Sequence, residues 1–438
     1  MSGTLTAQGS THLVNELVVA SAHVGLVRQG LRTLGVQTAR QEDSPALGLS
    51  RLRLTGPELI GDTAKDRDSP LDGVLAGLRQ HFREGYNGWV PAFGKNREVE
   101  TVGGAHVISG GGSELPVVPA AGPEALAGGW THRSPAGNAY VIPEPELADD
   151  GRPARGGPRV LIDGLPRPSG RQGRGATVAV CDTRLWDGGA LSGGYLADPG
   201  ALLREADLPF TAGHATFITG VILRSAPGAA VTVQPTLGDD AKGTSWQLAI
   251  DLVELADRGA DVINVSAGFF TGDDEPALAV TTALRLIGRQ TVVVAAAGNH
   301  GSDAEYPRRP MWPAAHDEVV SVGALTPTGA RAPFSPDAPW VRLMAPGVNV
   351  VSNYFGKEVS VRDPASGRTV NYGGVAAWSG TSFAAAWVSG LIAGRIRPGR
   401  VDAPEALRRL TGAARAGTTV VRPPGAGGAG RPSPGTTE

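Results

Sequence analysis

Between Gly175 and Ile396 the chain repeats one texture, short apolar runs separated by helical segments. Ala176 to Cys181, Ala230 to Pro235, Asp261 to Ser266 and Thr291 to Ala296 read as strands without regular polar alternation. Val319 to Val322, Val341 to Ala345 and Val348 to Ser352 add further short strands. A strand that is apolar on both sides needs cover on both faces, which is the situation of a parallel sheet between layers of helix. Helices are predicted at Trp246 to Arg258, stopped by Gly259, and at Pro276 to Gly288. Two more follow His214 and Ser382, and a short one spans Ala403 to Gly412. The expected fold class is α/β, a parallel sheet with helices on both faces.

Ahead of this region, residues 13–85 read as a small α/β unit. Leu13 to Ala20 and Ala46 to Leu54 are strand-like, and Val24, Val27, Leu31 and Leu34 recur at helical spacing. Ser69-Pro70-Leu71-Asp72 is a helix start, with a Ser cap and Pro in the first turn, followed by Leu71, Val74, Leu75, Leu78 and Phe82 on one face. The 63 glycines and 34 prolines concentrate in Gly103 to Gly175 and after Gly417. Residues 86–174 are therefore expected to be an irregular connector, with short strands at Ala105 to Ser109 and Ala139 to Ile142. Residues 1–12 and 416–438 are expected to be flexible or disordered, which leaves 175–415 as the main domain.

Composition narrows the classes of function. A net charge of −2 without a long basic run disfavours nucleic acid and anionic membrane as partners. No apolar run reaches the ~18 residues of a membrane span, and residues 1–13 lack the charged and apolar regions of a secretory signal. A single cysteine, Cys181, rules out an intrachain disulfide, and its setting in an apolar strand suits a buried thiol. A cytoplasmic setting is expected.

In a covered parallel sheet, functional groups collect at the carboxyl ends of strands and the amino ends of helices. Four residues fall there. Asp182 ends the strand Ala176 to Cys181, His214 opens a helix, Asn299 follows the strand Thr291 to Ala296, and Ser382 begins the last long helix. Each has a plain alternative: a strand-end cap, a core imidazole, a turn-forming Asn and a small helix-start residue. Together they suit acyl transfer. Ser382 attacks a carbonyl, His214 takes and returns the proton, and Asp182 holds the imidazole. The Asn299 amide and the Ser382 backbone N–H would face the oxyanion.

Val178-Ala179-Val180-Cys181-Asp182-Thr183, Gly213-His214-Ala215-Thr216 and Asp261-Val262-Ile263-Asn264-Val265-Ser266-Ala267-Gly268 resemble the Asp strand, the His helix and the cleft strand of the subtilisin-like serine proteases. Ala295-Ala296-Ala297-Gly298-Asn299, Ala345-Pro346-Gly347 and Ser379-Gly380-Thr381-Ser382 resemble that family's oxyanion segment, conserved turn and nucleophile motif, in the family's order. The resemblance covers about half of the chain. It implies a subtilisin-like fold and a serine endopeptidase acting on protein or peptide through Asp182, His214, Ser382 and Asn299. It also implies a cleft between 266–270 and 296–299, with Ser266, Ala267, Gly268, Ala297, Gly298 and His300 binding substrate. Gly268 would leave room for the peptide backbone. His300 with Asp303, Glu305, Arg308 and Arg309 would border the pocket for the residue before the cut, their charges nearly cancelling.

Three positions depart from the family. Ala215 and Phe217 stand where a Gly and a second His usually follow the catalytic His, and Ala386 stands where Pro usually follows the Ser. Altered packing with intact chemistry is expected. No cofactor is required. Structural calcium, common among relatives, has only the loops Asp239-Asp240 and Asp273-Asp274-Glu275 to bind it, and they lack regular ligand spacing. Residues 13–85 have two readings, a cleavable propeptide or a permanent recruiting domain. A catalytically silent scaffold would lack a triad residue, and none is missing. Transfer of the acyl group to an amine instead of water stays open, as does the oligomeric state.

Overall fold

A computed structural model describes residues 11–56, 63–65, 69–102, 115–118, 141–143, 159–161, 171–186, 191, 195–196, 199–327, 329–362, 367, 369–411 and 419–420. The expected strand Ala105 to Ser109, the flexible start 1–10 and nearly all of the tail 416–438 lie outside the described residues.

The main domain is a parallel sheet whose strands alternate with helices. In chain order the elements that position the site are β6 (Thr177–Asp182), α3 (His214–Ser225), β7 (Ala230–Pro235), β8 (Lys242–Thr244), α4 (Ser245–Asp257), β9 (Val262–Val265), β10 (Ala267–Gly268), α5 (Leu278–Leu286), β11 (Val292–Ala296), β12 (Val320–Leu325), β13 (Leu343–Pro346) and α6 (Thr381–Ala393). The sheet order is β7-β6-β9-β11-β12-β13, with Tyr195–Leu196 and Thr419–Val420 paired at its two edges. All of these pairings are parallel.

The missing polar alternation is explained by where the side chains go. Val178, Val180, Val262, Val292 and Val294 enter one core with α3 and α6. Ala179, Cys181, Ile263, Val265, Val293 and Ala295, the alternate positions, enter a second core with α4 and α5. Because side chains in a strand alternate between faces, a sheet covered on both faces needs apolar residues at every step. Burial pushes the Cys181 thiol far above its ordinary range, which makes it an inert core residue.

The N-terminal unit consists of β1 (Thr11–Ala20), α1 (Val24–Thr33), β2 (Gln37–Ser44), β3 (Leu49–Thr55), β4 (Thr63–Lys65), α2 (Pro70–Gly85) and β5 (Phe93–Thr101). Ser69 Oγ accepts from Leu71 N at the start of α2, and Leu71, Val74, Leu75, Leu78 and Phe82 are buried together with Leu17, Val19, Leu52 and Leu54. Besides the short β4, two strands were not read from the sequence. The first, β2, is an edge strand, and its polar composition follows from that exposed position.

The second, β5, shifts an expected boundary. It lies in the supposed connector but pairs with β1 in the middle of the antiparallel sheet β8-β5-β1-β3-β2. Beyond β1 it runs between β8 and β10 of the main domain. The other face of this sheet also joins the two units. Val18, Leu49 and Val99 belong to the core formed with α4 and α5.

Candidate active site

Asp182 and His214 are both fully buried. The two Asp182 carboxylate oxygens lie 2.9 and 2.8 Å from His214 Nδ1, and Oδ1 also accepts from Thr183 N at 2.7 Å. An ionised carboxylate only accepts, so Nδ1 carries the hydrogen, and in the neutral ring this places the lone pair on Nε2, the tautomer a general base requires. Nε2 has no hydrogen-bond partner among the described residues. Thr183 ties the strand end to the helix start. Its Oγ1 donates to Ala212 O at 3.2 Å and accepts from Ala215 N at 3.2 Å.

The imidazole sits in an aromatic enclosure, with ring centroids 5.5 Å from Trp378 and 5.7 Å from Phe383. Phe217 completes the packing beneath, 4.4 Å from Phe383 and 5.9 Å from Trp378. This is the altered packing expected from a Phe at the position of the family's second His. Helix α6 runs unbroken past the fully buried Ala386.

Asn299 follows β11 and is oriented by the neighbouring loop. Its Oδ1 accepts from Thr381 N at 3.0 Å and Thr381 Oγ1 at 3.2 Å. Gly298 N donates to the same Thr381 hydroxyl at 3.0 Å. With Oδ1 held, the Asn299 amide N–H must point the other way. It donates to Val102 O at 2.9 Å.

Ser382, at the amino end of α6, donates from Oγ to the same Val102 carbonyl at 2.7 Å, with Ser266 O a longer alternative at 3.3 Å. The second bond to Val102 O therefore comes from the Ser382 hydroxyl, where the backbone N–H was expected. A hydrogen-bonded chain lies behind the Ser. Ser389 Oγ donates to Asn264 Oδ1 (3.0 Å), Asn264 Nδ2 donates to Ser266 Oγ (2.9 Å), and Ser266 Oγ donates to Ser382 O (3.2 Å).

Val102, which the sequence does not mark, thus lies within the site. It directly follows β5 and is almost fully buried. Val102 N donates to Ser266 O at 2.9 Å, and Thr101 N donates to Ala241 O at 3.1 Å. The alternating Arg97-Glu98-Val99-Glu100-Thr101-Val102 before Gly103-Gly104 carried a strand signal, obscured by the glycine-rich segment after it.

Several expected cleft details change. One edge flanking the extended segment, β10, lies within the expected 266–270; the other is β8, where 296–299 was expected. Ala267 and Gly268 pair with Thr101 and Glu100. The reason for glycine at 268 is different, however. A Cβ there would lie 2.9 Å from both Met311 Cγ and Trp312 O, so the constraint comes from the wall behind the strand. At Gly298, φ is +102°, and a Cβ would meet His300 Nδ1 at 2.6 Å and Met311 Sδ at 2.8 Å. Ala297 is fully buried in a small cluster with Met344 and Val341.

His300 lies in the wall. Its Nε2 donates to Arg309 O at 2.8 Å, its ring stands edge-on to Phe270 at 4.8 Å, and burial pushes its pKa down to about 4. It is neutral near pH 7. Arg309 lies over Phe270 at 5.3 Å and pairs with Asp274. Val102 belongs to the same apolar cluster as Phe270 and Met311.

Four carboxylates of the acidic loops accept from groups of the chain itself. Arg184 holds both oxygens of Asp239 (3.0 and 2.6 Å), Asp240 accepts from Lys242 N, Asp273 accepts from Glu275 N, and Asp274 pairs with Arg309. Among the described residues no three His, Cys, Asp or Glu side chains are grouped to hold a metal ion. No helix among them is long and apolar enough to cross a membrane.

Comparison with known proteins agrees with this geometry. The chain is 33% identical over 180 residues to a thermophilic serine proteinase of Bacillus sp. (strain AK1), an alignment covering 41% of this chain and 38% of that protein. It is 31% identical over 219 residues to subtilisin BL of Lederbergia lenta, covering 48% and 77%. The chain therefore spans well under two thirds of the first relative's length. Its fold is similar to that of fervidolysin from Fervidobacterium pennivorans, a keratinolytic enzyme related to subtilisin, with a TM-score of 0.53 and 17% identity over 88% of this chain and 55% of that one. The subtilase family profile matches residues 173–412, more than half of the sequence, and the chain belongs to that family.

Proposed function

We propose that this chain is a serine endopeptidase formed as a self-inhibited precursor, and that it cuts its own Val102–Gly103 bond. The observation behind this is a single carbonyl. Val102 O accepts from both the Asn299 amide and the Ser382 hydroxyl, at the end of a strand held between two cleft edges. The N-terminal unit presents β5 as a bound peptide would lie, by main-chain pairing on both sides.

In the described conformation Ser382 directs its proton at the carbonyl oxygen and His214 Nε2 is unengaged. Rotation about the Ser382 Cα–Cβ bond would turn Oγ toward Nε2. His214 then takes the hydroxyl proton as Oγ attacks the Val102 carbonyl carbon, while Asp182 stabilises the imidazolium. The oxyanion is held by the Asn299 amide, already oriented by Thr381, and by the Ser382 backbone N–H at the amino end of α6. His214 returns the proton to the Gly103 nitrogen as the C–N bond breaks; water then gives a proton to the same base and adds to the ester carbonyl, and that proton passes to Oγ as Val102 leaves as a free carboxylate. Protein or peptide segments bound in the same extended way are the substrates in trans.

Intact-mass analysis of the purified wild type beside Ser382→Ala tests this reading. Wild type should yield a fragment starting at Gly103 and Ser382→Ala should stay full length. Two full-length masses, or a cut at another bond, would overturn it.

A further inference from the structure

Strand β8 meets β5 with one feature that peptide pairing alone does not need. In this antiparallel pair Lys242 is directly opposite Glu100, and Glu98 lies one diagonal step away on the same face. The Lys242 ammonium bridges the two carboxylates, 2.8 Å from Glu98 Oε1 and 3.1 Å from Glu100 Oε1. Its own carboxylate neighbour Asp240 is turned to the backbone, accepting from Lys242 N. Counted back from Val102, Glu100 and Glu98 are the third and fifth residues before the cut. Val99, on the opposite face, is fully buried among the residues of α4 and α5.

Resting on the reading of Val102 as the residue before the cut, we propose that Lys242 makes the cleft select substrates with acidic side chains at the third and fifth positions on the amino side of the cleaved bond. A lysine on an exposed strand can simply discourage edge pairing. Here the strand is paired, and one ammonium serves two carboxylates two residues apart, the spacing that one face of an extended peptide presents. The selected peptides would carry the pattern acid-apolar-acid-any-apolar before the cut, as Glu98 to Val102 do.

The test uses the full chain after self-processing, with active serine titrated by a fluorophosphonate. Two internally quenched peptides are compared: residues 97–104, and the same sequence with Glu98→Gln and Glu100→Gln. Each partly exposed pair contributes a factor of about two to five, so with both pairs wild type should cut the Glu peptide about fourfold to 25-fold faster in kcat/KM. That ratio should fall to about one in Lys242→Gln and below one in Lys242→Glu. Equal cleavage of both peptides by wild type, or an unchanged ratio in Lys242→Gln, would overturn the selectivity while leaving the protease reading intact. Cleavage of neither peptide by titrated enzyme would overturn both.

Discussion

Asn96 is the most informative single residue in the contact between the two units. It lies in β5 and is fully buried. Its Oδ1 accepts from Ser245 Oγ and from Trp246 N, both at 3.0 Å, while Nδ2 donates to Glu16 Oε2 at 2.7 Å. Trp246 N lies in the first turn of α4, where backbone N–H groups have no acceptor within the helix. Asn96 therefore supplies from the N-terminal unit what the helix cannot supply itself. Asn96→Ala would strand this N–H and weaken the bonding of the Ser245 hydroxyl, which keeps Arg97 N as a donor to it. Glu16 keeps Arg51 Nη1 at 3.2 Å.

At about 1–3 kcal/mol for each stranded group, the bound state should lose about 2–4 kcal/mol. Water satisfies the same groups once the N-terminal unit has left, so the loss falls on the complex. Its dissociation constant should rise roughly 30- to 1000-fold, mostly through faster release. The assay follows fluorophosphonate labelling of Ser382 after processing, since the bound strand covers the serine. Asn96→Ala should shorten the labelling lag by a factor in that range. An unchanged lag in a variant whose circular dichroism matches wild type would refute the idea that this buried contact closes the cleft.

Two further outcomes concern stability. Burial pushes His316 from 6.5 down to about 4, its ring packed 4.7 Å from Trp312. The unfolded chain takes up a proton below about pH 6.5 that the folded chain refuses until about pH 4, so stability falls as pH drops through that window. At pH 5 this costs about 2 kcal/mol. Urea denaturation at pH 7.5 and pH 5 should show His316→Phe losing about 2 kcal/mol less than wild type, and equal losses would contradict the assignment. Phe217→His, which restores the family's usual residue, puts an imidazole among Phe383 and Trp378. It should cost about 1–3 kcal/mol and lower the Tm by several degrees. An unchanged Tm would mean that the site offers a partner.

The site residues were legible because they sit at chain positions that chemistry and sheet topology both mark. Asp182 ends a strand, His214 and Ser382 open helices, and Asn299 follows a strand; the fold needs only to align those ends. The second edge of the cleft was not legible. Strand β8 is Lys242-Gly243-Thr244, three residues with little strand propensity that acquire their role by pairing with β5. The reason for glycine at 268 is not legible in the sequence because the atoms that exclude a Cβ, from Met311 and Trp312, are distant along the chain.

By itself the sequence determined the covered parallel sheet, since apolar residues at successive strand positions have no other stable arrangement, and it determined the order of the four chemical groups. Only the tertiary structure decided what lies against them. That Val102 reaches Asn299 and Ser382 depends on contacts about 200 and 280 residues apart in the chain. No local propensity encodes a contact at that separation; it follows from the docking of one folded sheet on the helices of another unit. The physical reason is that hydrophobic periodicity reports which face of an element is buried and says nothing of which distant element buries it.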